Sequence, residues 1–197
     1  MARDNFKDWN LLHKVTAAVV AALVVGIAIH AVRVRTAAFK FEASRDYNVS
    51  AETLWPWLVN YKDRIRWQAE LIDMSRLMGD ADKPGSTRLI FWQRGYKKWS
   101  AVERTEEVVQ NRLYATYQEA DGDHRWFRVE LIPEGACKTR VVMHEVIKPL
   151  TYADRFWYFS EASDRQHRLD ISLDALGYWM KKTAPTCKGE TAGDAAG

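Results

Sequence analysis

Any chemistry in this chain has to come from a few scattered polar side chains. His124, His144 and His167 share no HExxH or other paired spacing, so the pattern gives no metal site. His144 and Glu145 are adjacent on an expected strand, where successive side chains point to opposite faces, so they do not work together. Ser163 and His167 are one turn apart on an expected helix and could hold the polar end of a ligand. Glu161 with Arg165, and Asp164 with Arg168, have the i,i+4 spacing of solvated helix pairs. Cys137 follows a turn with no base beside it, which argues against a nucleophile. The sequence has no Gly-x-Ser-x-Gly elbow, phosphate-binding loop or dinucleotide fingerprint, and no cofactor is implied.

The elements that must position these residues follow from changes in period. Residues 43–49 alternate loosely as a strand. Ser50 then caps a helix, with Glu52 near its positive end. Pro56 lies past the first turn, where it removes a backbone donor, so this helix is expected to be short or kinked. Asn60-Tyr61-Lys62-Asp63 should break it before a second short helix ending near Trp67. Strand-like runs cover 68–77, 86–93, 97–109, 112–119, 124–133 and 137–148, separated by Gly-, Pro- and Asn-rich turns. After Pro149 the pattern becomes helical to about Lys182. Phe156, Phe159, Ala162, Leu169, Leu173, Leu176 and Met180 form its apolar stripe, with Gln166 at the one polar place. Sequential hairpins cannot bury both faces, so this helix must cover the sheet.

Composition sets wider limits. The chain has 197 residues, 47% of them apolar, which is enough for one core plus extensions. Its net charge of +3 comes from Lys and Arg interspersed with Asp and Glu, which gives no case for a nucleic-acid partner. Nine Trp, eight Tyr and seven Phe suit a core, a pocket with a wet edge or a membrane interface. Cys137 and Cys187 allow one disulfide but no disulfide framework.

Val15–Val32 carries no formal charge at neutral pH and would span about 27 Å as a helix, close to the thickness of a bilayer's hydrocarbon core. A cleaved signal peptide is the competing reading, with Gly26-Ile27-Ala28 as its site, but the apolar run continues past that point. The expected organisation is a tail (1–14), a single-pass membrane anchor (15–32), a connector (33–42), a folded domain (43–182) and a disordered tail (183–197). Phe39 and Phe41 of the connector are placed to meet the headgroups. Arg3, Lys7 and Lys14 precede the span, while Arg33, Arg35, Lys40 and Arg45 follow it. This near balance leans toward a cytoplasmic domain and does not exclude the extracytoplasmic side.

The order of three segments resembles a known superfamily. They are SAETLWPWLVNYKDRIRW (50–67), PGSTRLIFW (84–92) and FRVELIPEGACKTRVVMHEVIKP (127–149). Over 43–182 the chain is similar to START-like (SRPBCC) proteins, in particular those of the polyketide cyclase/dehydrase type. The resemblance implies an α+β helix-grip fold. A curved antiparallel sheet wraps the long C-terminal helix, two short helices follow the first strand, and a hydrophobic cavity lies between sheet and helix. Leu54, Trp57, Leu58 and Tyr61 would then plug one end.

Trp57, Tyr117, Phe127, Val129, Met143, Phe159, Ser163 and His167 are the expected ligand-binding residues, with no catalytic residue among them. The resulting expectation is a membrane-anchored, noncatalytic binding protein for a lipid or other small hydrophobic ligand. One alternative is a cyclase- or aromatase-like enzyme using His144, Glu145, His167 and Tyr117. Another is a co-chaperone-like interaction module with an exposed apolar patch and no cavity.

Overall fold

In a computed structural model, residues 5–36, 38–80 and 83–183 are described. Two compact units divide at Ala37/Ala38. The first is helix α1 (Asn5–Thr36), within which Asn10–Val32 is a 23-residue apolar stretch whose side chains are not buried. At about 1.5 Å per residue it is about 34 Å long, enough to cross a bilayer.

The second unit begins with β1 (Phe39–Tyr47). The strand therefore starts four residues before the expected position. It pairs with the last strand from Phe39↔Ile147 to Tyr47↔Thr139. Phe41 is buried in the core rather than free for a membrane surface. Helices α2 (Ala51–Val59) and α3 (Tyr61–Trp67) follow. Ser50 Oγ accepts from Thr53 N at 3.3 Å, the expected cap. Pro56 sits inside α2, and the helix still runs one further turn, closed by Asn60 N donating to Pro56 O at 2.9 Å. Asn60 then caps α3 through its Oδ1, 3.1 Å from Lys62 N.

The tryptophans divide unevenly. Trp55 and Trp67 are buried, and Trp67 Nε1 donates to Trp57 O at 2.8 Å, which locks the two helices together. Leu54 and Leu58 plug the interior as expected. Tyr61 does not, being 44% exposed. Trp57 is half-buried.

Six further strands complete the sheet: β2 (Leu71–Met78), β3 (Thr87–Arg94), β4 (Lys97–Val109), β5 (Leu113–Glu119), β6 (Asp123–Gly135) and β7 (Lys138–Pro149). The seven strands are ordered β1-β7-β6-β5-β4-β3-β2, and every neighbouring pair is antiparallel. Cys137 lies in the β6–β7 turn. The chain's other cysteine, Cys187, lies outside the described residues, as does the expected tail beyond Thr183.

The expected single C-terminal helix is two: α4 (Tyr152–Ser160) and α5 (Ala162–Thr183). The break is at Glu161, with φ −102° and ψ 7°. It takes α4 out of phase with the stripe on α5, so Tyr158 is the buried residue of α4 while Phe156 and Phe159 are 59% and 60% exposed. On α5 the buried positions are Arg165, Leu169, Ser172, Leu173, Leu176 and Met180, at spacings of three and four. The leucines and Met180 pack with Phe41, Ala43, Phe127, Val129, Leu131, Val141 and Met143 in the main core. Tyr47 donates its hydroxyl to Leu173 O at 2.6 Å, which ties α5 to β1. Gly177 permits that approach, because a Cβ there would stand 3.1 Å from the Tyr47 ring. A second, smaller apolar cluster of Leu71, Met74, Ile90, Trp92 and Ala101 lies at the β2–β4 edge.

Candidate functional site

Between the two apolar clusters, the inner face of the sheet is charged. The period of two that points Phe127, Val129 and Leu131 inward also turns Asp123 and Arg125 inward, and on β7 it brings Glu145 in beside Met143. On β4 it turns Ala101, Glu103 and Thr105 in. Two clusters result, and they differ in how completely they are partnered.

The first surrounds Glu103, which is 0% exposed. Arg64 from α3 forks onto it, with Nη1–Oε1 at 2.6 Å and Nη2–Oε2 at 3.1 Å. Thr116 and Gln118 donate to Oε2 at 3.2 and 2.8 Å, and Arg88 Nε lies 3.4 Å from Oε1. Gln68 accepts from Nε and Nη2 of Arg64, so that guanidinium is satisfied as well. Burial pushes the Glu103 carboxyl up. The Arg64 charge and bonds, followed by Arg88 and Gln118, outweigh it and hold Glu103 below the usual carboxylate range.

The second cluster lies at the β3–β4 and β5–β6 ends, under α4 and the start of α5. Arg94 donates to Glu70 at 2.7 Å and Glu161 at 2.5 Å, and Arg168 donates to the same Glu70 at 2.5 Å. Arg125 Nε lies 3.3 Å from Glu145 and its Nη2 3.7 Å from Asp123, whose carboxylate already accepts the Tyr158 hydroxyl. Arg165 is 5% exposed and lies 4.0 Å over the Tyr158 ring. Its Glu161 neighbour is 4.0 Å away. Burial, and then the Arg125 charge, pull the Arg165 guanidinium down to about 10. Burial also lowers Arg168, although Glu70 opposes this. For Glu161, burial pushes upward, but Arg94, Arg165 and Arg168 outweigh it and keep the carboxyl below its usual range.

Several donors here have no hydrogen-bond partner: Trp92 Nε1, Arg94 Nη2, Arg125 Nε, Nε and Nη1 of Arg165, and Arg168 Nη2. Each buried donor left so costs about 1–3 kcal/mol.

This cluster forms one wall of a cleft of about 750 Å³. Arg94 and Arg165 face it, together with Asp123, Asp154 and Glu161. Trp99, Trp157 and Tyr158 supply aromatic surface, and Lys97 and Lys98 of the β3–β4 hairpin stand at the rim. Trp99 stacks on Trp92 with centroids 6.5 Å apart, and Arg125 lies over Trp92 at 5.6 Å.

The expected ligand residues do not gather at this cleft. Phe127, Val129 and Met143 point inward but are packed in the main core, at 4%, 0% and 0% exposure. Tyr117 is a correction: its register partner is Trp126, and with His124 they form an aromatic group on the outer face. Phe159, Ser163 and His167 are exposed, because the break at Glu161 and the phase of α5 turn them outward. Trp57 packs against the main core. Of the other candidates, His144 faces outward with Nδ1 3.2 Å from Glu42, while Glu145 is the inward member of that pair.

Arg94, Arg125 and Arg165 are absent from the ligand-binding set expected from sequence. Two of them carry a signal. Arg125 continues the alternation of Phe127, Val129 and Leu131, and Arg165 lies four residues before Leu169 on the α5 stripe.

Comparison of the whole architecture with solved structures gives high structural similarity at low identity. TTHA0849 from Thermus thermophilus aligns with a TM-score of 0.62 at 14% identity, covering 74% of this chain and 99% of that one. The ZhuI aromatase/cyclase from Streptomyces sp. R1128 aligns with 0.61 at 12% identity, covering 75% and 98%. A START superfamily protein from Mycobacterium smegmatis gives 0.58 at 13%, covering 73% and 97%. The domain has the START-like helix-grip fold. No family model matches the chain, and no curated protein matches its sequence. In this START-like fold, the apolar grip between sheet and α5 is packed with the protein's own side chains, and the 750 Å³ cleft lies at the charged end.

Proposed function

We propose that the chain is a membrane-anchored, noncatalytic binding protein for a lipid or other small hydrophobic molecule. The observation that carries this reading is the 750 Å³ cleft with Trp99, Trp157 and Tyr158 in its lining. Trp157 of that lining is 58% exposed, and Leu150, Tyr152 and Phe156 on the same segment are also exposed. The apolar stretch Asn10–Val32 supports a single-pass anchor on the same chain.

Binding without turnover is favoured by the state of the ionisable groups. Glu161 is held charged by its arginines and is a weak base near neutrality. His124 and His144 stand on the outer sheet face, and His167 is exposed. The cyclase-like alternative would need an acid or base tuned near the working pH inside the cleft.

The test of the binding reading is native mass spectrometry of the full chain released from a nanodisc, followed by organic extraction. A discrete co-purifying hydrophobic mass is expected. A protein that is empty and also fails to take up a hydrophobic fluorophore would overturn the proposal.

A further inference from the structure

Among the described residues, the buried side-chain atoms left without a partner are all nitrogens. No buried side-chain oxygen is in that position. The unpartnered groups are therefore donors, and most of them gather at one place. Arg165, at 5% exposure, has two unpartnered nitrogens and makes no hydrogen bond to a carboxylate. The carboxylates around it are already engaged: Glu161 and Glu70 by Arg94, Glu70 again by Arg168, and Asp123 by Tyr158. Arg94 and Arg165 both face the cleft, whose rim adds Lys97 and Lys98.

Resting on the binding reading above, we infer that the cleft takes an amphipathic acid, whose oxyanion seats on Arg165 and Arg94 while its apolar body lies against Trp99 and Trp157. A carboxylate or phosphate oxygen supplies acceptors to these arginines, whose unpartnered nitrogens are closed to solvent until the guanidinium turns toward the cleft, and a planar guanidinium fork suits either group. A neutral hydrophobic molecule would leave these donors unmet. A cation would meet Asp121, Asp123, Asp154 and Glu161 as well as Arg94 and Arg165, but it would leave the arginine donors unmet. Burial and the Arg125 charge lower the Arg165 guanidinium, whereas Glu103 holds Arg64 up, so an anion gains more at Arg165 than at Arg64. Arg125 stands behind the site over Trp92 and adds positive charge without lining the cleft.

The test compares 1-pyrenebutyrate with 1-pyrenebutanol, an acid and its neutral counterpart. Binding is read as energy transfer from tryptophan, on the full chain in phosphatidylcholine nanodiscs, with empty discs as background. The acid is expected to bind at least about tenfold more tightly than the alcohol. Arg165→Met and, separately, the more exposed Arg94→Gln should lose that preference while the alcohol's affinity is kept. Arg165→Lys should restore part of it. Because the first comparison uses the unmodified protein, it stands even if a variant fails to fold. Displacement of the acid by millimolar inorganic phosphate would support an oxyanion seat open to free phosphate. Resistance to displacement, with the acid still preferred, would support one that requires the apolar body. Equal affinity for acid and alcohol would overturn the inference while the binding reading stands. Failure of both probes to bind would overturn the binding reading, and the inference with it.

Discussion

Glu103 and Arg165 are both charged, both at least 95% buried and both inside the same START-like domain, yet their surroundings differ in kind. Glu103 is surrounded by donors from α3, β3 and β5. Arg165 has an aromatic ring on one side and a carboxylate 4.0 Å off, already committed elsewhere. A charge that is fully bonded at a closed site holds elements together. A charge left short of partners beside an open cleft costs stability, and such a cost is retained where something binds. The contrast separates scaffold from site without reference to any relative.

The largest effect should come from breaking the closed cluster. Glu103→Ala leaves Arg64 and Arg88 in the interior without their carboxylate, and the expected loss is about 3–5 kcal/mol of unfolding free energy. Urea titration of the full chain in nanodiscs measures it. A loss below about 1 kcal/mol would mean that the cluster is not the tie between α3 and the sheet that its bonds describe.

Acid sharpens the same point with no substitution. Glu103 is depressed in the folded state relative to its ordinary value of about 4.3, so the unfolded chain binds more protons in the window between the two values. The stabilisation is therefore fully present above about pH 4.3 and is lost as pH falls through the folded value. Glu161, lowered in the same direction, adds to the slope from the open cluster. Glu103→Gln should flatten the acid limb of the stability profile, with hydrogen–deuterium exchange of α3 as the local readout. An unchanged acid limb in that variant would assign the effect to Glu161 and reverse the ranking of the two clusters.

How much of this is legible in the sequence depends on the kind of signal. Strand order, turns and the two short helices follow from period and from Gly, Pro and Asn placement, which are local. The helix break at Glu161 is not visible there, because Phe156 and Phe159 extend the α5 spacing on paper while the backbone turns two residues after Phe159. That break moves Phe159, Ser163 and His167 from the expected interior to the surface. Tyr117 is displaced by one residue of phase, and one residue exchanges faces on a strand. The charged interior is half legible. Alternation alone places Glu103, Arg125 and Glu145 inward, but an i,i+4 spacing cannot show whether Glu161 and Arg165 are solvated or buried. That depends on how α5 sits on the sheet, which is a long-range property.

The smallest expected effect is the one that discriminates most. Arg165→Met removes a buried charge with few partners, so the desolvation cost disappears along with the stacking on Tyr158, which is worth about 0.5–2 kcal/mol. These oppose each other. The net change in unfolding free energy should stay within about 1 kcal/mol of wild type, and an increase is compatible with the open-cluster picture. Thermal unfolding in parallel with Glu103→Ala gives the comparison directly. A loss of about 3 kcal/mol or more at Arg165 would place it with Glu103 as a scaffold residue. The cleft would then have no group kept at a cost, and the physical reason for expecting an anion there would be gone.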